Sequence, residues 1–342
     1  MMKRQVLGKA VGVLPMSLGR QMRRMHRGEY LTVLCYHRIM DRPDDFPFDD
    51  DLVSASAADF DRQMAWVAEH YNVIDFRDLA GHLDREGRFP PRALIVTFDD
   101  GYYDNHSVAW PILYKHGLKA VMFVTSGFIG TDRIFWWDRI AWLVKTASPG
   151  SYEIPAPAAA RIDIGDGRQE TAAMLIKHAK RLPDAGKEKM IDVLAEALGA
   201  GGSSPPSAQA MTWDQVRELD SAGIEIGAHS VNHPIFSNVD EERIRYEVTE
   251  SKKMIENEIG RQVISFGAPG RGIIEPAERS RFESVLREIV SAAGYRFSTQ
   301  YRWGLVYENE FDPYGIERLG IETHDDLAVF RAKLSWPEIV NY

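Results

Sequence analysis

The chain has 342 residues, of which 44% are hydrophobic and 27% are charged, and its formal net charge at pH 7 is −9. This amount of apolar sequence is enough for one large core or two ordinary ones. The single cysteine, Cys35, excludes an internal disulfide and a cysteine-rich zinc site. The acidic balance argues against nucleic-acid binding by the main body of the chain.

Residues 1–30 form a basic, weakly amphipathic arm with seven Lys and Arg against one acid. Its charge of +6 leaves −15 for the rest of the chain. Two hypotheses stay open for the arm: contact with an anionic membrane surface, or a solvated terminus. Lys9 and Pro15 interrupt its apolar residues, so we expect no signal peptide. The expected location is the cytoplasm, with the arm as a candidate peripheral contact at the inner face of the membrane.

Beyond the arm, short apolar runs alternate with helical patterns, which predicts an α/β fold with a mostly parallel sheet. In chain order the patterns predict a strand over 31–36, a helix from about 56, a strand over 93–98, a helix over 107–116, a strand over 120–125, a helix over 213–222, a strand over 224–228, a helix over 240–259 and a strand over 263–266. The stretch 149–210 interrupts this rhythm with Pro-, Ala- and Gly-rich sequence and a charged helical segment near 170–198. We interpret it as an insertion or lid over the core.

Chemically distinctive residues come directly after three of the predicted strands. Asp99 and Asp100 follow the second strand, His229 follows the fourth, and Pro269 with its neighbouring glycines follows the fifth. The carboxyl ends of parallel strands share one face of an α/β fold, and sites are built there. We therefore expect residues about 130 positions apart to meet.

Asp99 and Asp100 are adjacent carboxylates in the run Thr-Phe-Asp-Asp-Gly. Such a pair repels unless a cation or a difference in protonation relieves it. A metal ion would do so if one aspartate bound it and the other acted as a base. The alternative interpretation is a turn that the aspartates cap before Gly101.

His229 and His233 are separated by three residues, so that their imidazoles can converge on one side of a helical turn and bind a divalent ion. In a chain with 10 histidines this spacing alone is a weak signal, and its place at a strand end strengthens it. One carboxylate and two imidazoles form a three-ligand set with open positions. A hydrolytic metal site needs such positions, because water and substrate must both reach the ion.

The run Thr97–Tyr102 resembles the first motif of polysaccharide deacetylases, the NodB homology family related to family 4 carbohydrate esterases, and His229–His233 resembles the second. The resemblance covers about residues 30 to 335. It implies a NodB-like domain over 31–335, built as a distorted (β/α) barrel with about seven parallel strands, that removes N-acetyl groups from sugars. It further implies Asp100, His229 and His233 as metal ligands and Asp99 as the catalytic base.

The third family motif is altered in this chain, which reads Phe-Gly-Ala-Pro-Gly-Arg-Gly over 266–272 where many relatives have Phe-Arg-x-Pro-Tyr-Gly. Gly267 stands where relatives carry the arginine that braces the catalytic aspartate. Arg271 is a candidate substitute from a shifted position. Gly270 occupies the position whose backbone N–H helps to hold the oxyanion in relatives.

The family's late Leu-x-His motif, which supplies the proton to the leaving amine, has no clear counterpart here. Two histidines stay open as the general acid: His37, at a strand end on the expected face, and His324, which follows the segment 316–321. Arg318 resembles an arginine of the family's late strand. The candidate substrate-binding residues are Tyr102, Trp137, Asp138, Pro269, Arg318 and His324.

The expected activity is the metal-dependent removal of N-acetyl groups from an amino-sugar-containing glycan or glycolipid. One divalent ion is expected as cofactor, with zinc favoured and cobalt, manganese, iron and nickel as alternatives. A lipid-linked or growing glycan of capsule, exopolysaccharide or lipopolysaccharide assembly is the expected partner. Two other hypotheses stay open: a deformylase or amidase acting on another C–N bond, and a carbohydrate-binding relative that has lost turnover.

Overall fold

The computed structural model describes residues 29–200, 205–206, 209–270 and 274–336, without the side chains of residues 301 and 302. The predicted arm over 1–30 lies almost wholly outside the described residues, and Arg271 lies outside them as well. Across these ranges, each helix is too short or too polar to cross a bilayer.

The described residues alternate strands and helices as the sequence predicts. The strands are β1 (Tyr30–Tyr36), β2 (Arg38–Ile39), β3 (Val53–Ala55), β4 (Asn72–Val73), β5 (Ala93–Phe98), β6 (Val121–Val124), β7 (Gly150–Ile154), β8 (Ala160–Ile164), β9 (Glu225–Ala228), β10 (Ser265–Gly267), β11 (Phe297–Trp303), β12 (Val306–Tyr307) and β13 (Ile316–Gly320). The α-helices are α1 (Ala57–His70), α2 (Phe76–Glu86), α3 (Trp110–Lys115), α4 (Trp136–Thr146), α5 (Arg168–Ala179), α6 (Asp184–Ala197), α7 (Trp213–Ser221), α8 (Glu241–Ile259), α9 (Pro276–Ala292) and α10 (Leu327–Ser335). The predicted strands are confirmed to within two residues, whereas β11 was not predicted.

Seven parallel strands close into a barrel in the order β1-β5-β6-β9-β10-β11-β13 and back to β1. The closure depends on β1, which pairs with β5 along its length and with β13 on its other side. All seven residues of β1 and all six of β5 are buried, because a strand inside a (β/α) barrel faces the packed interior on one side and helices on the other. The predicted seven-stranded barrel is confirmed.

The barrel interior is filled by alternate residues of its strands. Val33, Ile95, Phe123 and Ile316 belong to one buried apolar cluster, which α2 joins through Phe76 and its neighbours. Side chains alternate along a strand, so the residues that follow Ile95 on the interior side are Thr97 and then Asp99. The catalytic candidates therefore lie directly above the apolar filling of the barrel.

The segment between α4 and α7 adds a β-hairpin and two helices to the barrel. β7 and β8 form the antiparallel hairpin, and α5 and α6 replace the single helical segment expected near 170–198. α5 packs along α4, and the Arg168 guanidinium donates hydrogen bonds to the carbonyls of Val144, Lys145 and Ala147 at distances of 2.7–3.0 Å. These carbonyls lie at the C-terminal end of α4, where no intrahelical partner is available, so Arg168 fastens the added segment to the barrel.

Candidate active site and metal centre

The side chains of Asp100, His229 and His233 converge beyond the carboxyl ends of β5 and β9. The two Nε2 atoms are 3.2 Å apart, and Oδ1 of Asp100 lies 3.4 Å from each of them. Ligand atoms bound to one tetrahedral zinc at about 2.0–2.1 Å lie about 3.3 Å from one another. The three side chains therefore have the donor set and the spacing of a divalent metal site.

The environment of Asp100 supports the same interpretation. Its side chain is buried, and both carboxylate oxygens lack a hydrogen-bond partner within the described part of the chain. Burial raises the pKa of this carboxyl, but the adjacent imidazoles outweigh burial and hold the pKa below its usual value. A buried carboxylate without hydrogen bonds is costly unless a cation compensates it, so the site is shaped for positive charge.

The two histidines lie in a loop. The expectation that they share one side of a helical turn is wrong. His233 has a φ of 51°, in the left-handed region, and its ring turns back toward His229 as the loop reverses. Buried Glu247 of α8 holds this loop, because its carboxylate accepts hydrogen bonds from the backbone N–H groups of Val231 and Asn232 at 2.8 and 2.7 Å. The convergence of the imidazoles is thus fixed by a helix outside the motif.

The imidazoles are oriented by contacts at their other edges. Nδ1 of His229 lies 2.7 Å from the carbonyl oxygen of Gly267; since a carbonyl only accepts, Nδ1 carries the proton and Nε2 faces Asp100. Burial lowers the pKa of His229, but the carboxylates of Asp99 and Asp100 outweigh burial and raise it. Burial also lowers the pKa of His233, in this case to about 3, and a neutral imidazole is the form that binds metal.

Asp99 is held by a buried bidentate ion pair with Arg318. The two guanidinium nitrogens lie 2.7 and 2.8 Å from the two carboxylate oxygens. Burial raises the pKa of Asp99, but the Arg318 guanidinium and the His229 ring outweigh burial and hold this pKa well below the usual range. Asp99 is therefore an ionised carboxylate in a fixed orientation, with Oδ2 4.0 Å from Nε2 of His229.

Arg318 makes the contact with the catalytic aspartate that an arginine at position 267 makes in relatives. We expected the arginine missing at Gly267 to be replaced by Arg271, or not at all, and placed Arg318 among the substrate-binding residues. Arg318 reaches Asp99 from β13, across the barrel strand β1, and it also borders the larger cavity of the cleft. Its guanidinium also lies 6.0 Å from the centroid of the Phe123 ring.

Phe123 explains why no side chain stands at position 267. A Cβ atom on Gly267 would lie 2.8 Å from the Phe123 ring and 3.0 Å from Nδ1 of His229. A Cβ atom on Gly227, in the neighbouring strand β9, would lie 2.5 Å from the same ring. The Phe123 ring thus takes the space of two interior side chains, and an arginine at 267 does not fit beneath His229.

His37 and His324 occupy different parts of the cleft. Nε2 of His37 lies 4.0 Å from Oδ2 of Asp99, and the ring borders the cavity of about 110 Å³ that lies over the metal ligands. His324 lines an adjoining cavity of about 540 Å³ and is not among the residues around the smaller one. Of the two candidates, His37 is the one placed beside Asp99.

Tyr102 and Asp138 lie beneath the cleft, so their expected role in lining it is wrong. Both side chains are fully buried, and the Tyr102 hydroxyl donates to Oδ2 of Asp138 at 2.9 Å. Trp137 does border the small cavity, and its ring packs edge-on against His233 at 4.6 Å between centroids. Its indole N–H donates to the Tyr102 hydroxyl. Tyr102 and Asp138 therefore support the wall of the cleft from behind.

Gly270 and Pro269 follow β10 on the same face as the metal ligands. Gly270 borders the small cavity, and a Cβ atom there would meet nothing within 4 Å. Pro269 is buried and is not among the residues around the cavity. The backbone at Gly270 thus borders the metal site, whereas the expected role of Pro269 in lining the cavity is not seen.

The chain matches the family model described as polysaccharide deacetylase over residues 86–297, which is more than half of its length. This chain belongs to the polysaccharide deacetylase family. The matched region contains both aspartates and both histidines of the site.

Individual relatives are similar over shorter stretches. YxkH, a Bacillus subtilis protein assigned to the polysaccharide deacetylases, is 28% identical over 101 residues, which is 29% of this chain and 33% of that protein. The poly-β-1,6-N-acetyl-D-glucosamine N-deacetylase of Staphylococcus aureus is 27% identical over 89 residues, or 26% of this chain and 30% of the relative. The matched stretches thus span about a third of the length of these relatives.

Solved structures share the fold over most of the chain. The Streptococcus pyogenes deacetylase PplD, in complex with acetate, aligns with a TM-score of 0.56 at 16% identity and covers 87% of this chain and 95% of that one. IcaB from Ammonifex degensii aligns with a TM-score of 0.53 at 17% identity and covers 92% and 97%. At these identities the likeness shows the shared barrel fold.

Proposed function

We propose that the protein is a metal-dependent de-N-acetylase that hydrolyses the acetamide of an N-acetylated amino sugar within a glycan. The observation that carries the proposal is the ligand triangle of Asp100, His229 and His233 beside the ionised carboxylate of Asp99. An ionised carboxylate next to a three-ligand site is the arrangement that metal-assisted hydrolysis requires. Membership of the polysaccharide deacetylase family supports an amide of a sugar as the target.

Asp100, His229 and His233 would hold the ion, for which zinc is favoured by the two imidazoles and one carboxylate. When bound, a divalent ion supplies Lewis-acid polarisation of the acetamide carbonyl and lowers the pKa of water. The second group of potential ligands in the described residues, Cys35, His37 and Asp99, is less suited to a cation. Arg318 already occupies both oxygens of Asp99.

The protein's own groups perform the proton transfers. Asp99 is ionised and is held in place by Arg318, so that it accepts the proton of the attacking water. We assign the stabilisation of the oxyanion of the tetrahedral intermediate to the backbone N–H of Gly270, which borders the small cavity. His37, which lies beside Asp99 and lines the small cavity, donates a proton to the leaving nitrogen, which releases acetate and a free amine.

The Arg318 brace also bears on the competing hypotheses. The hypothesis of a carbohydrate-binding protein without turnover rests on the absence of an arginine at position 267. Arg318 contacts both oxygens of Asp99 from another strand, so this absence no longer argues against catalysis. The S. aureus relative is named for poly-β-1,6-N-acetyl-D-glucosamine, which favours a polymer of N-acetylglucosamine as the substrate class of this chain. We further propose that the basic arm over 1–30 brings the enzyme to the cytoplasmic face of the membrane, where a lipid-linked glycan is assembled.

Acetate release from β-1,6-linked N-acetylglucosamine oligomers tests the proposal. We expect the zinc-loaded protein to release acetate, a chelator to abolish the release, and added Zn²⁺ to restore it. Asp99→Asn and His233→Ala are expected to lower kcat/KM by at least about 1,000-fold. His106→Ala is the matched control, because His106 pairs with exposed Glu218 away from the site. Full activity of Asp99→Asn would overturn the mechanism, and release of formate but not acetate from matched substrates would overturn the assignment of the acyl group.

A further inference from the structure

The cleft continues beyond the metal ligands into a second, larger space. The cavity of about 540 Å³ shares His37, Leu52 and Lys180 with the cavity of about 110 Å³ at the metal site. Arg318 and Cys35 lie on its floor, and α5 contributes Ile176 to both cavities. A ligand whose acetamide group reaches the metal ligands can therefore extend into the larger cavity without leaving the cleft.

Trp303 is the aromatic side chain that lines this larger cavity. It is 44% exposed, whereas Trp136, Trp137 and Trp142 are all less than 10% exposed. An indole ring is a large apolar surface whose burial is favourable, so its exposure at the edge of a cleft marks a position where a ligand can cover it.

Three neighbouring residues determine where the Trp303 ring lies. Trp303 pairs with Arg318 at a shift in the register between β11 and β13. The outer edge of its six-membered ring extends over Gly320, where a Cβ atom would lie 2.1 Å from Cη2. The Lys333 ammonium lies 5.9 Å from the ring centroid, over the ring. Gly320 thus leaves room for the indole, which lies beside the residue that braces Asp99.

Polar groups surround the exposed ring. Lys177 of α5, Lys180 directly after that helix, Gln300 and Glu322 all line the same cavity as Trp303. A flat apolar ring flanked by hydrogen-bond donors and acceptors matches a pyranose, which has an apolar C–H face and a polar rim of hydroxyl groups. A purely apolar ligand would leave these polar groups without partners.

We propose that Trp303 is a stacking platform for the sugar next to the one that is deacetylated, which makes the enzyme specific for a glycan chain over a monosaccharide. The proposal rests on the proposed function. The deacetylated sugar must place its acetamide in the small cavity, which Trp303 does not line. We assign the ring that stacks on Trp303 in the large cavity to a neighbouring sugar.

The test compares substrate length with and without the indole. For wild type and Trp303→Ala, kcat/KM for acetate release is measured on β-1,6-linked N-acetylglucosamine oligomers of one to six sugars. Loss of one stacked ring, worth about 1.4 kcal/mol, corresponds to about a tenfold loss. We expect this loss on the hexamer and little change on the monomer. Trp303→Phe, which keeps a smaller ring, is expected to recover part of it.

Tyr114→Ala is the matched control, because Tyr114 is an exposed aromatic (77%) on α3 and does not border either cavity. An equal loss on monomer and hexamer, or none on either, would overturn the platform. Calorimetric binding of the hexamer to Asp99→Asn, with and without Trp303→Ala, separates the two proposals. Binding that depends on Trp303 without acetate release by the wild type would support the platform and contradict the proposed reaction.

Discussion

Arg318 controls the direction in which Asp99 presents its carboxylate, because the guanidinium contacts both oxygens at once. Lysine keeps the positive charge but has no planar fork, so that only one oxygen can be held. We predict that Arg318→Lys lowers kcat by about 100-fold with little change in KM, since a misplaced catalytic group affects the transition state more than binding. Steady-state kinetics with a zinc determination check this, and the zinc content is expected to stay at one per chain.

Arg296→Lys is a matched control for this substitution. Arg296 also forms a bidentate pair, with Asp84 at 2.9 and 2.7 Å, but the pair is on the surface and away from the cleft. Its substitution is expected to leave kcat unchanged. A fully active Arg318→Lys protein would show that Asp99 needs no brace.

Gly267 is a second residue on which the geometry of the site depends, because there is no room for a side chain at this position. A Cβ atom there would press on the Phe123 ring and on Nδ1 of His229. We predict that Gly267→Ala lowers the free energy of unfolding by about 1–3 kcal/mol and weakens zinc binding, because the His229 ring must shift. Gly270→Ala is the control, since its Cβ atom meets nothing within 4 Å. Chemical denaturation and zinc titration check both variants, and equal stability of the two would contradict the prediction.

The motif residues could be predicted from the sequence, whereas their supports could not. Asp99, Asp100, His229 and His233 stand directly after strands or within a short spacing, so a local pattern finds them. Arg318 lies 219 residues from Asp99 along the chain, and only closure of the barrel brings the two together. Glu247 gives no local signal either, because it is one acid among several in the charged helix α8.

At the scale of elements, strands that are buried on both faces were predictable and polar ones were not. β5 reads Ala-Leu-Ile-Val-Thr-Phe, which is a nearly continuous apolar run. β11 reads Phe-Ser-Thr-Gln-Tyr-Arg-Trp, and its polar residues conceal a barrel strand that also carries the proposed platform. The hairpin of β7 and β8 escaped prediction for a similar reason, since its strands, Gly-Ser-Tyr-Glu-Ile and Ala-Arg-Ile-Asp-Ile, contain no continuous apolar run.

The junction between α4 and α5 determines how one wall of the cleft is held. Arg168 donates to three carbonyls at the end of α4, and α5 carries Ile176 into both cavities. We predict that Arg168→Met lowers the free energy of unfolding by about 1–3 kcal/mol, because buried carbonyls lose their donor. We also expect a severalfold increase in KM for oligomers, since the wall is less well ordered.

Arg161→Met is a matched control in the same segment, because Arg161 is on the exposed face of β8 and is 3.6 Å from Glu153. Denaturation curves and hydrogen exchange over residues 168–179 measure the effect. Unchanged exchange in Arg168→Met would show that apolar packing alone holds α5.

At the scale of the whole molecule, the two ends of the barrel differ in function: one carries the candidate active site and the other contributes to stability. The carboxyl ends of the strands carry the site, and the opposite end is closed by α2. There the buried carboxyl of Glu225 accepts hydrogen bonds from the Ser265 hydroxyl at 2.6 Å and from the Arg77 N–H at 3.1 Å. Burial raises the pKa of Glu225 to about 7, so the folded protein holds a neutral acid where the unfolded chain has an ordinary glutamate.

This difference predicts how stability depends on pH. A raised folded-state pKa contributes stability at low pH that is lost as the pH rises through it, here between about 4.5 and 7. Glu225→Gln mimics the neutral acid, so its stability relative to wild type is expected to increase by about 3 kcal/mol across that interval. Urea denaturation from pH 4.5 to 7.5 measures this, with exposed Glu242→Gln as the control. Parallel curves for wild type and Glu225→Gln would show that Glu225 is ionised in the folded protein.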